Sequence, residues 1–135
     1  MEIFRNGLQA FVKGPAQYFT GNVRTDWRFQ CGGESRMAGA SVTFEAGARR
    51  AGHTHPLGQT LIVTSGKGWT QCEGVPIVEI NAGDIIGCAA NHRHWHGATP
   101  TTAMTPTAIQ KAKDAKVVEW LEKLSDEEYL VRPTP

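Results

Sequence analysis

Apolar and polar positions alternate with a period of two over much of the chain. From Val23 to Gln30 the apolar residues Val23, Trp27 and Phe29 interleave with polar ones, and from Ala38 to Glu45 the residues Ala40, Val42 and Phe44 share one face while Ser41 and Thr43 share the other. That alternation predicts half-buried strands. Further strands are predicted at Gln59–Ser65, Gly68–Cys72, Ile77–Ile80, Asp84–Gly87, His94–Ala98 and Thr101–Ile109, with Gly and Pro punctuating nearly all of them. A short alternation at Ile3 predicts an edge strand followed by an irregular arm. Many short antiparallel strands with such turns predict an all-β fold, either a sandwich or a closed barrel.

The period changes near the C-terminus. Val117, Leu121 and Leu124 fall at i, i+4 and i+7 with Lys and Glu between them, which predicts an amphipathic helix over residues 112–124. Ser125-Asp-Glu-Glu128 fits a capping box for a last turn ending at Leu130. The helical segment thus covers about 112–130 behind a barrel of about 23–110, and the tail VRPTP is expected to fray. Trp120 is read as packing and Asp84, after Gly83, as closing a turn through its carboxylate.

Composition narrows the function. The 135 residues suit a single domain, 1–135, and 14 basic against 13 acidic residues leave a net charge of +1. Such a balance offers no general field for nucleic acid or an anionic membrane, so the expected partner is a small molecule. No apolar run approaches the ~18 residues of a membrane span, and the start MEIFRNGLQA has no signal-peptide pattern, so a cytoplasmic location is expected. Cys31, Cys72 and Cys88 are odd in number and form no CxxC pair, as expected for free, buried thiols.

All five histidines fall in two stretches. In GARRAGHTHPLGQTLIVTSG, from Gly47 to Gly66, His53 and His55 lie two apart, so on an extended strand both imidazoles reach one ion, with Gln59 a third candidate donor. In GDIIGCAANHRHWHGA, from Gly83 to Ala98, His92, His94 and His96 alternate with Arg93 and Trp95. Gathered imidazoles of this kind point to a shared divalent metal.

These stretches resemble both signature motifs of the cupin superfamily. The first runs Gly47, five residues, His53-x-His55, three residues, Gln59, six residues, Gly66; the second runs Gly83, ten residues, His94. The resemblance implies a cupin-type double-stranded β-helix, a jelly-roll barrel, here with the C-terminal helix. Gln59 stands where the family usually has Glu, and Ala89, Asn91 and Ala98 stand where it usually has Pro, Gly and Asn. More narrowly, HTHPLGQTLIV with HWHGATPTTAMT is similar to the small bacterial cupins that act as manganese-dependent (R)-hydroxynitrile lyases. That likeness implies the ligand set His53, His55, Gln59 and His94, and a homodimer or homotetramer.

Three imidazoles and an amide would leave the 2+ charge of the ion uncompensated, so an anion should bind well. Mn²⁺ or Fe²⁺, preferring six ligands, would keep two positions open, while Zn²⁺, Ni²⁺ or Co²⁺ could compete by availability. His96 shares the strand face of His94 and is the expected acid/base, taking a cyanohydrin hydroxyl proton as the C–CN bond breaks. His92 is expected to be solvated in a turn. Ala40, Val42, Arg50, Cys88, Pro106 and Gln110 are candidate pocket residues. Ala40 and Val42 are read first as core, with pocket walls as the alternative, and Arg50 is read as a surface charge with a substrate clamp as the alternative. The lyases carry a further His at the position of Pro106, and Gly52 and Gly87 also depart from them, which suggests a roomier pocket for a bulkier or acidic substrate. Two other functions stay open: a cupin tailoring enzyme (oxygenase, isomerase or cyclase) acting on a metabolite such as a polyketide, and a non-catalytic metal-dependent binding protein.

Overall fold

The computed structural model describes residues 1–133; the last two positions of the tail expected to fray lie outside the described residues. Twelve strands form one curled antiparallel sheet: β1 (Val12–Lys13), β2 (Phe19–Thr20), β3 (Val23–Gln30), β4 (Met37–Phe44), β5 (Arg49–Arg50), β6 (His53–Thr54), β7 (Gln59–Cys72), β8 (Val78–Asn81), β9 (Ile85–Cys88), β10 (His94–Ala98), β11 (Met104–Lys111) and β12 (Glu119–Trp120). The path runs β1-β3-β4-β11-β7-β10-β5-β2, with β9 and β8 also on β7, and β6 between β10 and β12. The fold is all-β, as predicted.

β7 holds the two halves together. Its first half, from Gln59 to Gly66, pairs with β11 and β9, and its second half, from Lys67 to Cys72, pairs with β10 and β8. The sequence predicts two strands here because Gly66 reads as a stop. The backbone instead continues through Gly66 at φ 80°, a left-handed value that suits glycine, and changes partners there. The strand is long and shared, and so the sheet folds over on itself around Phe19, Val42, Phe44, Leu61, Val63 and Met104.

The N-terminal expectation is corrected: residues 1–10 form no strand. Gln9 instead clamps the edge of β3 by its side chain, with Nε2 donating to Arg28 O at 2.8 Å and Oε1 accepting from Arg28 N at 3.0 Å. Phe4, Leu8, Phe11 and Val12 stay exposed beside it.

The helix expected over 112–124 is also corrected. Asp114 and Ala115 take positive φ in a reversal closed by Lys113 and Lys116, and the chain then runs extended. β12 pairs with β6, Leu121 N donates to Gly52 O at 2.8 Å, and Gly52 N donates to Glu122 O at 3.0 Å. Backbone groups that a helix would satisfy internally are spent on a neighbouring strand, while the spaced Leu124 is buried but Leu121 is 41% exposed. Within the expected helical segment 112–130, only α1 (Asp126–Tyr129) is helical, capped by the predicted reciprocal bonds of Ser125 and Glu128. Asp84 accepts Asn81 N at 2.7 Å, closing its turn. Among the described residues no helix is long and apolar enough to cross a membrane.

Candidate metal centre

Strand register assembles the site. β6 and β10 pair with His53 opposite His94, and β7 meets β11 and β9 with Gln59 opposite both Gln110 and Cys88. His55 lies at the start of a turn whose Gly58 N–H returns to His55 O at 3.2 Å, and Asn91 N donates to the same carbonyl at 2.9 Å. Asn91, where the family usually has Gly, holds φ at 57°, a left-handed value that Asn tolerates better than most residues. The ring centroids of His53 and His94 are 4.3 Å apart, those of His53 and His55 4.9 Å, and those of His55 and His94 5.3 Å.

The tautomers are set from outside. Nδ1 of His53 lies 2.8 Å from Ala51 O, that of His55 2.7 Å from Val117 O, and that of His94 3.1 Å from His92 O. Each Nδ1 must carry hydrogen to make these bonds, so each Nε2 keeps a lone pair turned inward. For His53 and His55 that Nε2 is buried with no hydrogen-bond partner. Gln59 Nε2 donates to Gln110 Oε1 at 3.0 Å, which turns Gln59 Oε1 toward His94 Nε2 at 3.3 Å. Two acceptors thus face each other beside two orphaned lone pairs. This donor set fits a divalent cation, with three imidazoles and one amide oxygen to hold it.

Electrostatics keep the imidazoles neutral. Burial, followed by the positive charge of Arg50, holds His53 and His96 well below the ordinary 6.5. Burial takes His55 down to about 4 and also lowers His94.

His96 follows His94 by two on β10 and is 1% exposed. Its ring stands edge-on to Phe44 at 5.6 Å and 5.7 Å from His53, and its Nδ1 has no partner. Potential ligand atoms of His53, His94 and His96 fall within 4.8 Å of one another, although by ring centroids His55 is nearer to His53, at 4.9 Å against 5.7 Å for His96. His92 is exposed in the turn.

The pocket candidates divide. Gln110 joins the site through Gln59, and together with Ala40 and Val117 it lines an open cleft of about 780 Å³. Val42 is 2% exposed within the core. Cys88 is buried opposite Gln59, and burial pushes its thiol up to about 11. Pro106 is buried opposite Val63, at a bulge between Thr105 and Pro106. Gly87 is exposed, and a Cβ at Gly52 would meet Arg93 Nε at 2.9 Å, so neither glycine enlarges the interior.

Arg50 corrects the surface reading. Its Nε is enclosed and its guanidinium lies 5.1 Å over Phe19 and 5.5 Å over Trp120, where burial lowers it to about 10. Trp120 also stacks on Tyr18 at 4.4 Å and approaches His53 at 5.3 Å. The signal for Arg50 was present in Arg49-Arg50: consecutive residues of a strand face opposite ways, so one of the two must turn inward.

Comparison with solved structures decides the family. A cupin-like protein of Thermotoga maritima is 37% identical, with a TM-score of 0.81 over 96% of this chain and 95% of that one. The chain belongs to the cupins. A cupin 2 conserved barrel domain protein of Rhodopseudomonas palustris shares this cupin's fold at 10% identity, with a TM-score of 0.68 over 88% of this chain and 79% of that one. Among curated proteins, an (R)-mandelonitrile lyase of Granulicella tundricola is 58% identical over 129 residues, 96% of this chain and 98% of the relative. No protein-family model matches the chain.

Proposed function

We propose that this cupin is a metal-dependent carbon–carbon lyase of the hydroxynitrile lyase type, cleaving an aromatic cyanohydrin such as mandelonitrile to an aldehyde and hydrogen cyanide. The observation that carries it is the set of inward lone pairs on His53, His55, His94 and Gln59 next to the buried, partnerless Nδ1 of His96, in a chain 58% identical to a mandelonitrile lyase. His53, His55, Gln59 and His94 would hold the ion, with Mn²⁺ or Fe²⁺ the best match to a nitrogen- and oxygen-donor set that leaves positions open. When bound, the ion supplies a Lewis acid that lowers the pKa of a coordinated hydroxyl.

His96 takes the hydroxyl proton at Nδ1. It is neutral at pH 7 because burial and Arg50 disfavour the imidazolium, and its ring is held edge-on to Phe44. As the C–CN bond breaks, its electron pair leaves with cyanide and the carbonyl forms. His96 then returns the proton to cyanide. Burial of the cluster keeps bulk water from competing for that proton.

The direct test is cyanide release from mandelonitrile by metal-loaded protein. The expected result is release that stops on chelation and returns on adding the metal. No release with the metal site filled would exclude the reaction.

The chain is also proposed to work as a homodimer or homotetramer in the cytoplasm. Exposed Phe4, Leu8, Phe11 and Val12 support the pairing, since apolar side chains grouped along an arm and a sheet edge gain by being covered.

A further inference from the structure

Two neighbouring arginines of β5 are treated oppositely. Arg49 is ion-paired: its Nη2 reaches Asp126 Oδ1 at 2.6 Å and Leu124 O at 3.0 Å, and its guanidinium lies 4.4 Å over Tyr129, with only its Nε left without an acceptor. Arg50 has no counterpart. Among the described residues it makes no ion pair and no side-chain hydrogen bond, and its Nε is enclosed without an acceptor. Only the faces of Phe19 and Trp120 attend it.

Cation–π contact offsets part of the cost of burying a guanidinium, but it accepts none of the five N–H bonds in the plane. The side chain keeps some accessible surface, so a ligand can reach it. Trp120 joins it to the cluster, with the indole 5.5 Å from the Arg50 guanidinium and 5.3 Å from the His53 ring, and the Arg50 charge lowers the pKa of His53, His55, His94 and His96. Close packing brings it there. A Cβ at Gly97 would lie 2.6 Å from Arg49 Cα, so only glycine beside His96 lets β5 press against β10. Asp and Glu are absent from the cluster, whose expected ligands are all neutral. A bound ion would therefore add to the positive charge of Arg50 rather than cancel it.

We propose that Arg50 is a substrate-recognition residue for a carboxylate: the small molecule taken by this site lays an anionic end against the Arg50 guanidinium and its reacting end toward His53, His94 and His96. The proposal rests on the reading of the histidine cluster as the reaction site and gives its preferred substrate an acid group that mandelonitrile lacks, so that mandelonitrile serves as an uncharged analogue. A guanidinium and a carboxylate match fork to fork, with two parallel N–H···O bonds. The two aromatic faces hold the guanidinium plane in advance, so little freedom is lost on binding. A neutral cyanohydrin would leave those donors unanswered.

The experiment measures benzoate and benzamide binding by calorimetry to full-length, metal-loaded wild type, Arg50→Met and Arg50→Gln, with metal content determined for each sample. Attraction of benzoate to the ion is common to all three proteins and cancels in the comparison. Benzoate is expected to bind both variants about 30-fold or more weakly, the lower end of what truncating one partner of a buried charge pair costs, while benzamide changes little. Equal benzoate affinity in wild type and whichever variant folds would overturn the proposal. So would a loss of benzamide binding as large as that of benzoate, which would mark Arg50 as a packing group only. Cyanide release from mandelonitrile is scored separately: a charge-dependent benzoate loss without cyanide release keeps Arg50 as the carboxylate site and removes the lyase reading, and cyanide release with unchanged benzoate binding does the reverse.

Discussion

His94 Nε2 faces Gln59 Oε1 across 3.3 Å, and neither atom has a hydrogen to give. With the His94 proton on its shorter contact, to His92 O, and the Gln59 amide hydrogens turned toward Gln110, a cation between or beside the two acceptors would balance the contact.

Gln110 therefore orients Gln59, the proposed ligand, without being a ligand itself. Gln110→Leu removes the acceptor that turns Gln59 inward and should weaken metal affinity by about 10–100-fold while the fold persists. Competition against a chelator of known affinity measures it, and unchanged affinity would leave Gln110 as a strand-end polar group.

His53 and His96 should separate holding the ion from moving the proton. His53→Ala is expected to abolish metal retention, read by elemental analysis after gel filtration. His96→Ala should keep the metal and lose activity by about 10²–10⁴-fold, with His92→Ala near normal. Metal loss in His96→Ala would make His96 a ligand, a result its closeness to His53 and His94 makes worth measuring.

Pro106→His should raise cyanide release, since the resembling lyases carry His there. The proline is buried at a bulge, so the larger polar ring is expected to cost about 1–3 kcal/mol of stability in urea unfolding. Activity at or below wild type would show that the bulge matters more than the added proton relay.

Acid should destabilise the metal-free protein. The folded pKa values of His53, His55, His94 and His96 lie below the ordinary 6.5, with His55 at about 4, so below 6.5 the unfolded chain takes up protons that the folded cluster refuses. Stability is full above pH 6.5 and falls as the pH drops toward 4. Melting of chelator-treated protein across that window should show it, and a flat profile would mean that the cluster opens to water without its ion.

Light scattering should give a mass of at least twice the 14.7 kDa chain. Phe11→Asp in the exposed arm should shift it toward the single chain, and a wild-type mass near one chain would remove the pairing.

Local alternation was legible where one face of a strand is buried. β3 and β10 begin and end where the period of two places them, and the histidine spacing pointed to a shared ion, with the family resemblance supplying the expected set His53, His55, Gln59 and His94. The spacing of Val117, Leu121 and Leu124 misled because it is a weak helical signal that competes with long-range pairing. Glu119 and Trp120 gain a ladder with β6, and Val117 gains His55 as a partner, neither of which is visible from within the segment. Arg50 was ambiguous for the same reason: β5 is two residues long, too short to display a period, and its inward member is chosen by the approach of β10.

The extended chain from Val117 to Glu122 has a reciprocal consequence. Its carbonyl sets the tautomer of His55, and its pairing with β6 and Gly52 braces the strand of His53. Whatever affinity the ion gains from a docked C-terminal segment, the segment must regain in stability when the ion binds, because the two are parts of one thermodynamic cycle. A bound metal would then act as a clasp for the end of the chain, and its loss would loosen a segment whose own sequence has no strong reason to stay extended.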